Sequence, residues 1–246
     1  MKKYLFVIII AIIYIMFAVF SSNIFNNDTY LFVGEKAKWQ YKNGQWSNME
    51  TIPQKLGTFN IYNIATGDSS KKMNLYYANN KLISKNKESF NDGFYIMYKG
   101  KEDFNVLSFK RRYDVSSKEI SEIKKNMGIK NSDIPSAAKI VLDIDNDGTD
   151  ETIYEVYNSL NYDPDVNKYY SLVCIKDGNK YIKLAYKTDN YIFYDNYVLS
   201  SIVDFTNDGD YEIIIGESGI SFDAKDTSYT MYGLIDDEYV KLVSTE

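Results

Sequence analysis

The chain of 246 residues contains no histidine, a single cysteine and only three prolines. Without histidine it lacks the commonest general base, the commonest protein ligand of zinc and any Ser-His-Asp triad. One cysteine excludes an internal disulfide, and the place of Cys174 in the apolar run SLVCI predicts a buried thiol. These absences leave carboxylates as the main groups with chemistry to offer.

Basic residues are outnumbered by acidic ones, 28 against 34, so the net charge is −6. Such a charge repels phosphate backbones, so we expect no nucleic-acid partner. The content of 45% hydrophobic and 25% charged residues is typical of a globular protein. With 24 tyrosines and 13 phenylalanines the chain is unusually aromatic, which favours β structure.

An uncharged apolar segment, residues 4–20, follows Lys2 and Lys3. A spanning helix needs about 17–25 apolar residues, whereas the core of a signal peptide has about 7–15 and ends at a small-x-small site. No A-x-A pattern occurs nearby, so residues 1–22 favour an uncleaved anchor over a signal segment, and the membrane is the expected partner of 4–20. The positive-inside rule then places the C-terminal remainder outside the cell membrane as a single-pass ectodomain. Secretion after cleavage near residue 22 is the alternative.

A short spacer, 23–28, precedes an N-terminal β region at 29–115, where aromatic and β-branched runs alternate with Gly, Asn and Asp. Asn43-Gly44 between aromatic flanks predicts a two-residue hairpin turn. Trp39 and Trp46 beside that turn are expected to pack across the strands, and stacking on sugars is the alternative. Strands are predicted in the runs YLFVG, KWQYK, TFNIYNI, MNLYYA, NKLIS, GFYIMYKG and FNVLSFKRRY.

One helix is predicted in the segment 116–136, which joins two β regions. Ser116 and Glu119 have the spacing of a capping box, and isoleucines recur on one face of SSKEISEIKKNMG. Gly128 is a natural stop. The lysines of this helix are expected to form a solvated face.

An internal repeat fills residues 137–246. Aligning IVLDIDNDGTDETIYEV at 140–156 with SIVDFTNDGDYEIIIGE at 201–217 superposes Asp143 on Asp204. A second match, SLVCIKDGNKYIKL with TMYGLIDDEYVKL, follows in each unit. Each unit therefore reads as strand, acidic loop, strand, variable connection and hairpin.

The first acidic loop places Asp143, Asp145 and Asp147 at alternate positions, Gly148 at the sixth and Glu151 at the ninth. Calcium takes six to eight oxygen ligands, and a glycine at the sixth position permits a sharp turn. An EF-hand requires a glutamate at the twelfth position, where this chain has a tyrosine inside a strand-like run. The loop is therefore expected to join strands. The plain alternative is that NDG makes a tight turn and the acids face water.

The pattern D-x-D-x-D-G-x-x-[DE] between hydrophobic strands resembles the calcium loop of FG-GAP and VCBS-type repeats, the blades of integrin-α-like β-propellers. The resemblance covers residues 137–245 and implies structural calcium. It implies that the ligands are the side chains of Asp143, Asp145, Asp147 and Glu151 and the carbonyl of Thr149.

The second loop would use Asp204, Thr206, Asp208, Asp210 and Glu212, in the same order. Because a threonine replaces the acid at the third position, we expect weaker metal binding there or none. The Phe-Gly and Gly-Ala-Pro signature of the family is absent, although IIIGESG resembles its tail. Two repeats cannot close a propeller of about four to eight blades. The region 29–115 is thus either further blades or a separate β domain.

These observations predict a mainly β, membrane-anchored extracytoplasmic module that holds calcium structurally and interacts with protein or glycan. No residue is singled out as catalytic, and no enzyme is expected. One alternative is a secreted or anchored carbohydrate-active hydrolase with paired carboxylates. Another is a non-catalytic accessory protein of a membrane complex.

Overall fold

The computed structural model describes residues 29–34, 36–64, 71–79, 81–84, 90, 95–100, 104–130, 135–158, 168–191, 193, 195–205, 209–218 and 227–245. Within these ranges the chain is mainly β, with antiparallel sheets and one helix, as the sequence predicts. No helix of the described ranges is long and apolar enough to cross a membrane. The predicted anchor at 4–20 lies outside the described residues.

The seven-stranded sheet is built from the N-terminal β region. Its strands are β1 (Thr29–Val33), β2 (Ala37–Lys42), β3 (Gln45–Asn48), β4 (Lys55–Asn63), β5 (Lys71–Ala78), β6 (Lys81–Ser84) and β7 (Tyr95–Lys99). Their order is β3-β2-β1-β7-β4-β5-β6. Asn43 and Gly44 have φ of 54° and 80°, and Lys42 pairs with Gln45 across them. The predicted two-residue hairpin turn is confirmed.

The two repeat units each fold into a four-stranded meander with the same connections. The four-stranded sheet contains β9 (Ser136–Leu142), β10 (Glu151–Tyr157), β11 (Tyr169–Asp177) and β12 (Lys180–Asp189). The five-stranded sheet contains β13 (Asn196–Asp204), β14 (Glu212–Ser218), β15 (Ser228–Ile235) and β16 (Glu238–Ser244), with β8 (Asn105–Val106) at its edge beside β13. Each acidic loop joins the first two strands of its meander, so it joins strands rather than helices, as predicted.

The five-stranded sheet lies between the other two sheets. Along β14, Ile213 and Ile215 belong to the core shared with the four-stranded sheet, which contains Ile153. Ile214 belongs to the core shared with the seven-stranded sheet, which contains Leu31. Both layers exclude solvent, and burying one such side chain contributes about 1.5–3 kcal/mol. Because successive side chains of β14 point to opposite faces, this strand contributes to two cores, and the five-stranded sheet is packed against a sheet on each side.

The helix α1 (Ser117–Met127) has the predicted ends and packs on the outer face of the four-stranded sheet. The Ser116 side chain accepts the Glu119 N–H, Glu119 accepts the Ser116 N–H in return, and Gly128 follows with φ of 71°. Ile123 is fully buried against strand residues that include Cys174. The predicted buried thiol is confirmed, and burial raises the pKa of Cys174 to about 12.

In the N-terminal region one alternative is excluded and one predicted strand needs correction. Trp39 has no exposed surface, because alternation in β2 turns it into the core between sheets, so it cannot stack on a sugar from outside. Trp46 is half-buried and packs on Tyr41 and Phe205. The run FNVLSFKRRY forms only the short strand β8 and, further along, an isolated bridge from Arg112 to Lys139. Between them the Arg111 side chain binds the buried carboxylate of Glu155.

Candidate metal site

The loop between β9 and β10 brings three of its five predicted ligands together. Carboxylate oxygens of Asp143, Asp145 and Glu151 all lie within 4.8 Å of one another. The Asp147 carboxylate instead accepts the backbone N–H of Thr149 at 2.7 Å. Of the four predicted side-chain ligands, Asp147 is therefore the one that lies outside this cluster, and its carboxylate stabilises the turn.

Backbone hydrogen bonds fold the loop around Asp143. Its two carboxylate oxygens accept the N–H groups of Asp147 at 3.1 Å and Gly148 at 3.0 Å. Asp145 accepts the same Asp147 N–H at 3.3 Å. Gly148 has φ of 89°, which L side chains rarely adopt, so a glycine is required at this sixth position. The sequence pattern is thus explained by the local geometry of the turn.

Glu151 is the buried member of the cluster, with 2% of its surface exposed. Its carboxylate accepts the N–H of Ile144 at 2.8 Å. Burial, followed by the charges of Asp145 and Asp143, nevertheless raises the pKa of Glu151 to about 7. Burial also raises the pKa of Asp145, as do its acidic neighbours. A bound cation would relieve this repulsion, because opposite charge favours the ionised form.

The loop between β13 and β14 repeats two of these contacts. Glu212 accepts the N–H of Phe205 at 3.2 Å, as Glu151 accepts that of Ile144. Asp204 accepts the N–H of Gly209 at 3.1 Å, and Gly209 has φ of 95°. First and ninth positions therefore play the same backbone roles in both loops. Of the remaining predicted ligands, Asp210 is exposed, and Thr206 and Asp208 lie outside the described residues.

The two acidic loops contact each other directly. The Tyr211 N–H donates to the Ile144 carbonyl at 3.3 Å, and the Asn146 side chain lies so close to Gly209 that an added Cβ would come within 3.3 Å of its nitrogen. Two segments 61 positions apart in the alignment thus become neighbours at one end of the sheets. The loop-to-loop contact was not predicted from the sequence.

Tyr239 is a further residue of this end that sequence reasoning missed. Its hydroxyl is buried and has no hydrogen-bond partner among the described residues. Burial raises its pKa, and the charges of Glu151, Asp145 and Asp177 raise it further. The only signal in the sequence was its alignment with Tyr181 in the repeated Y-[IV]-K-L.

Comparisons of this chain with family models, with curated proteins and with solved structures find no match. The resemblance to FG-GAP and VCBS-type repeats therefore stays a prediction carried by the residues of the loops. The chemistry of the site rests on its own geometry: oxygen donors, a tight turn and excess negative charge, which together suit a hard cation.

Proposed function

We propose that the chain is a membrane-anchored, extracytoplasmic β-repeat module that uses calcium to hold its acidic loop and that binds a partner through its surface. The observation that supports calcium most directly is the convergence of Asp143, Asp145 and buried Glu151 within 4.8 Å. Carboxylates so close repel one another, and a divalent ion among them turns that repulsion into attraction.

The position of the loop supports a structural role for the metal. Glu151 begins β10, and Ile144 inside the loop is fully buried between the four- and five-stranded sheets. The ion would therefore stabilise the point where two repeat units meet. The meanders β9–β12 and β13–β16 have the connection pattern of propeller blades, which supports the blade-like interpretation. The anchor and the external location are supported by the apolar segment 4–20 behind Lys2 and Lys3.

Calcium titration of thermal unfolding tests this proposal. Extracellular calcium modules bind with Kd of about 10⁻⁴–10⁻³ M. Calcium at about ten times Kd stabilises the native state by about 1.4 kcal/mol, which for a chain of this size raises Tm by about 3–6 °C. The full chain, purified in a neutral detergent, is expected to show this shift with calcium and to lose it with chelator.

Two substitutions in the same loop separate a bound metal from a general effect of charge. Asp145→Asn removes one carboxylate of the cluster and should abolish most of the calcium-induced shift. Asp150→Asn makes the same chemical change at an exposed position of the loop outside the cluster and should keep the shift. Equal calcium responses in the two variants, or none in the wild type, would reject the metal site.

A further inference from the structure

A groove of about 460 Å³ opens between the β2–β3 hairpin and the β15–β16 hairpin. One wall carries Tyr41 and Trp46, and the other carries Leu234, Ile235 and Leu242. These hairpins belong to different sheets, whose edge strands β3 and β16 meet where the Asn48 side chain donates to the Ser244 carbonyl at 2.9 Å. The groove is thus a gap between two sheet edges.

The groove has unusual apolar exposure. Five large hydrophobic side chains are exposed in the described part of the chain, and two of them, Tyr41 at 38% and Ile235 at 51%, line this groove from opposite walls. Contiguous apolar surface with a polar rim marks interaction sites more often than scattered exposed residues do. Edge strands on both sides also offer backbone groups to an extended segment.

The rim of the groove is acidic. Asp210 and Glu212 line the groove, and the turn after Ile235 adds the exposed residues Asp236, Asp237 and Glu238. Among the described residues, Lys241 is the one basic residue that lines the groove. These acidic residues outnumber Lys241 and the exposed Lys42 of the facing hairpin. The surrounding charge is therefore negative, which attracts a cationic partner and repels an acidic one.

The form of the apolar surface favours a peptide over a sugar. The Trp46 ring already contacts Tyr41 at 5.3 Å and Phe205 at 5.6 Å between ring centroids, so its surface is shared with other rings. The facing wall is aliphatic, with Leu234 and Ile235, and such walls suit the side chains of a peptide better than the flat face of a pyranose.

We propose that this groove binds an extended basic segment of a protein partner, with apolar side chains between the walls and lysine or arginine at the acidic rim. The inference rests on the proposed function as a binding module and supplies the chemical class of its partner. It does not depend on calcium in the first acidic loop, because the walls and turn lie outside the cluster of Asp143, Asp145 and Glu151. The second loop does contribute to the groove, through Asp210 and Glu212.

The probe is an acetylated and amidated peptide, Lys-Leu-Lys-Val-Lys, titrated calorimetrically into the full chain in neutral detergent. Saturable binding is expected, together with a weakening of about fivefold in Ile235→Ser, where an apolar wall contact is lost. The double substitution Asp236→Asn and Asp237→Asn should weaken binding by a similar factor and make it less sensitive to salt. Asparagine tolerates the positive φ of 51° and 61° at these positions, so the turn is kept.

Tyr191→Ser is the matched control, because Tyr191 is 79% exposed and does not line the groove. The affinity of Tyr191→Ser for the peptide should equal that of the wild type. Because every variant is measured in the same detergent, peptide that binds to detergent contributes equally to all of them. No saturable binding, equal losses in Tyr191→Ser and Ile235→Ser, or displacement of the peptide by a neutral chito-oligosaccharide would overturn the proposal. If the groove variants keep the calcium-induced shift in Tm while Asp145→Asn keeps peptide binding, the two proposals stand or fall separately.

Discussion

Substitution of Arg111 tests the contact that joins the N-terminal region to both repeat units. Its guanidinium donates to the Glu155 carboxylate from Nε at 2.8 Å and from Nη2 at 3.0 Å, and also to the Leu199 carbonyl. Glu155 lies on β10 and accepts the Leu199 N–H of β13 at 2.7 Å. The Glu155 side chain is 4% exposed and that of Arg111 33% exposed. One ion pair therefore connects three parts of the chain.

Arg111→Ala should lower the free energy of unfolding by about 2–3 kcal/mol. Removing one partner of a fully buried pair costs about 3–5 kcal/mol, because the other charge stays buried without compensation. We take less than that range because Arg111 is a third exposed, which lets water reach Glu155. Burial lowers the pKa of Arg111, but its hydrogen bond with Glu155 raises the pKa above the ordinary value, so the guanidinium stays charged at any pH of native folding.

The next residue supplies the control. Arg112 also makes two hydrogen bonds to one carboxylate, that of Asp114, but the two side chains are 53% and 60% exposed. Arg112→Ala should therefore leave the free energy of unfolding almost unchanged. Urea unfolding at 25 °C, followed by circular dichroism, measures both values. If the two alanine variants lose the same stability, burial of the pair does not govern its strength and the reasoning is refuted.

Two other predictions concern pH and location. Burial alone would raise the pKa of Glu119, but hydrogen bonds from Lys139, Ser116 and Tyr154 lower it to about 2. A carboxyl group with a lowered pKa stabilises the fold at pH above the unfolded value of 4.5, and this stabilisation is lost as the pH falls towards 2. In urea titrations the free energy of unfolding of the wild type should therefore exceed that of Glu119→Gln by about 1 kcal/mol at pH 7, and the two should be equal near pH 2. For location, protease added to intact cells should degrade the β region at 29–246 and spare a cytoplasmic marker; survival of the β region until lysis would place it inside.

Local features of the fold were predictable because their causes are local. The helix ends follow from Ser116, Glu119 and Gly128, and the hairpin turn follows from Asn43-Gly44, whose backbone needs positive φ. The same holds for the first acidic loop, where alternate acids and one glycine specify the turn.

Contacts between distant segments were not predictable in this way. Alternation in β2 shows that two faces exist, but it does not tell which face is covered, so Trp39 gave no sign of its burial. The insertion of β7 between β1 and β4 and the pairing of β8 with β13 depend on partners far along the chain. The contact of Tyr211 with Ile144 likewise has no local cause, although it brings the two acidic loops together.

Because β8 belongs to the five-stranded sheet, that sheet includes residues that precede the sequence repeat at 137–246. Val106 pairs with Val203, and further along Arg112 bridges to Lys139. A recombination event that copied only residues 137–246 would leave behind the segment that covers the flank of β13. The exposed flank would then present a row of backbone groups to any other strand, which is a route to aggregation. The smallest piece of this chain that can be transferred intact therefore begins before residue 105.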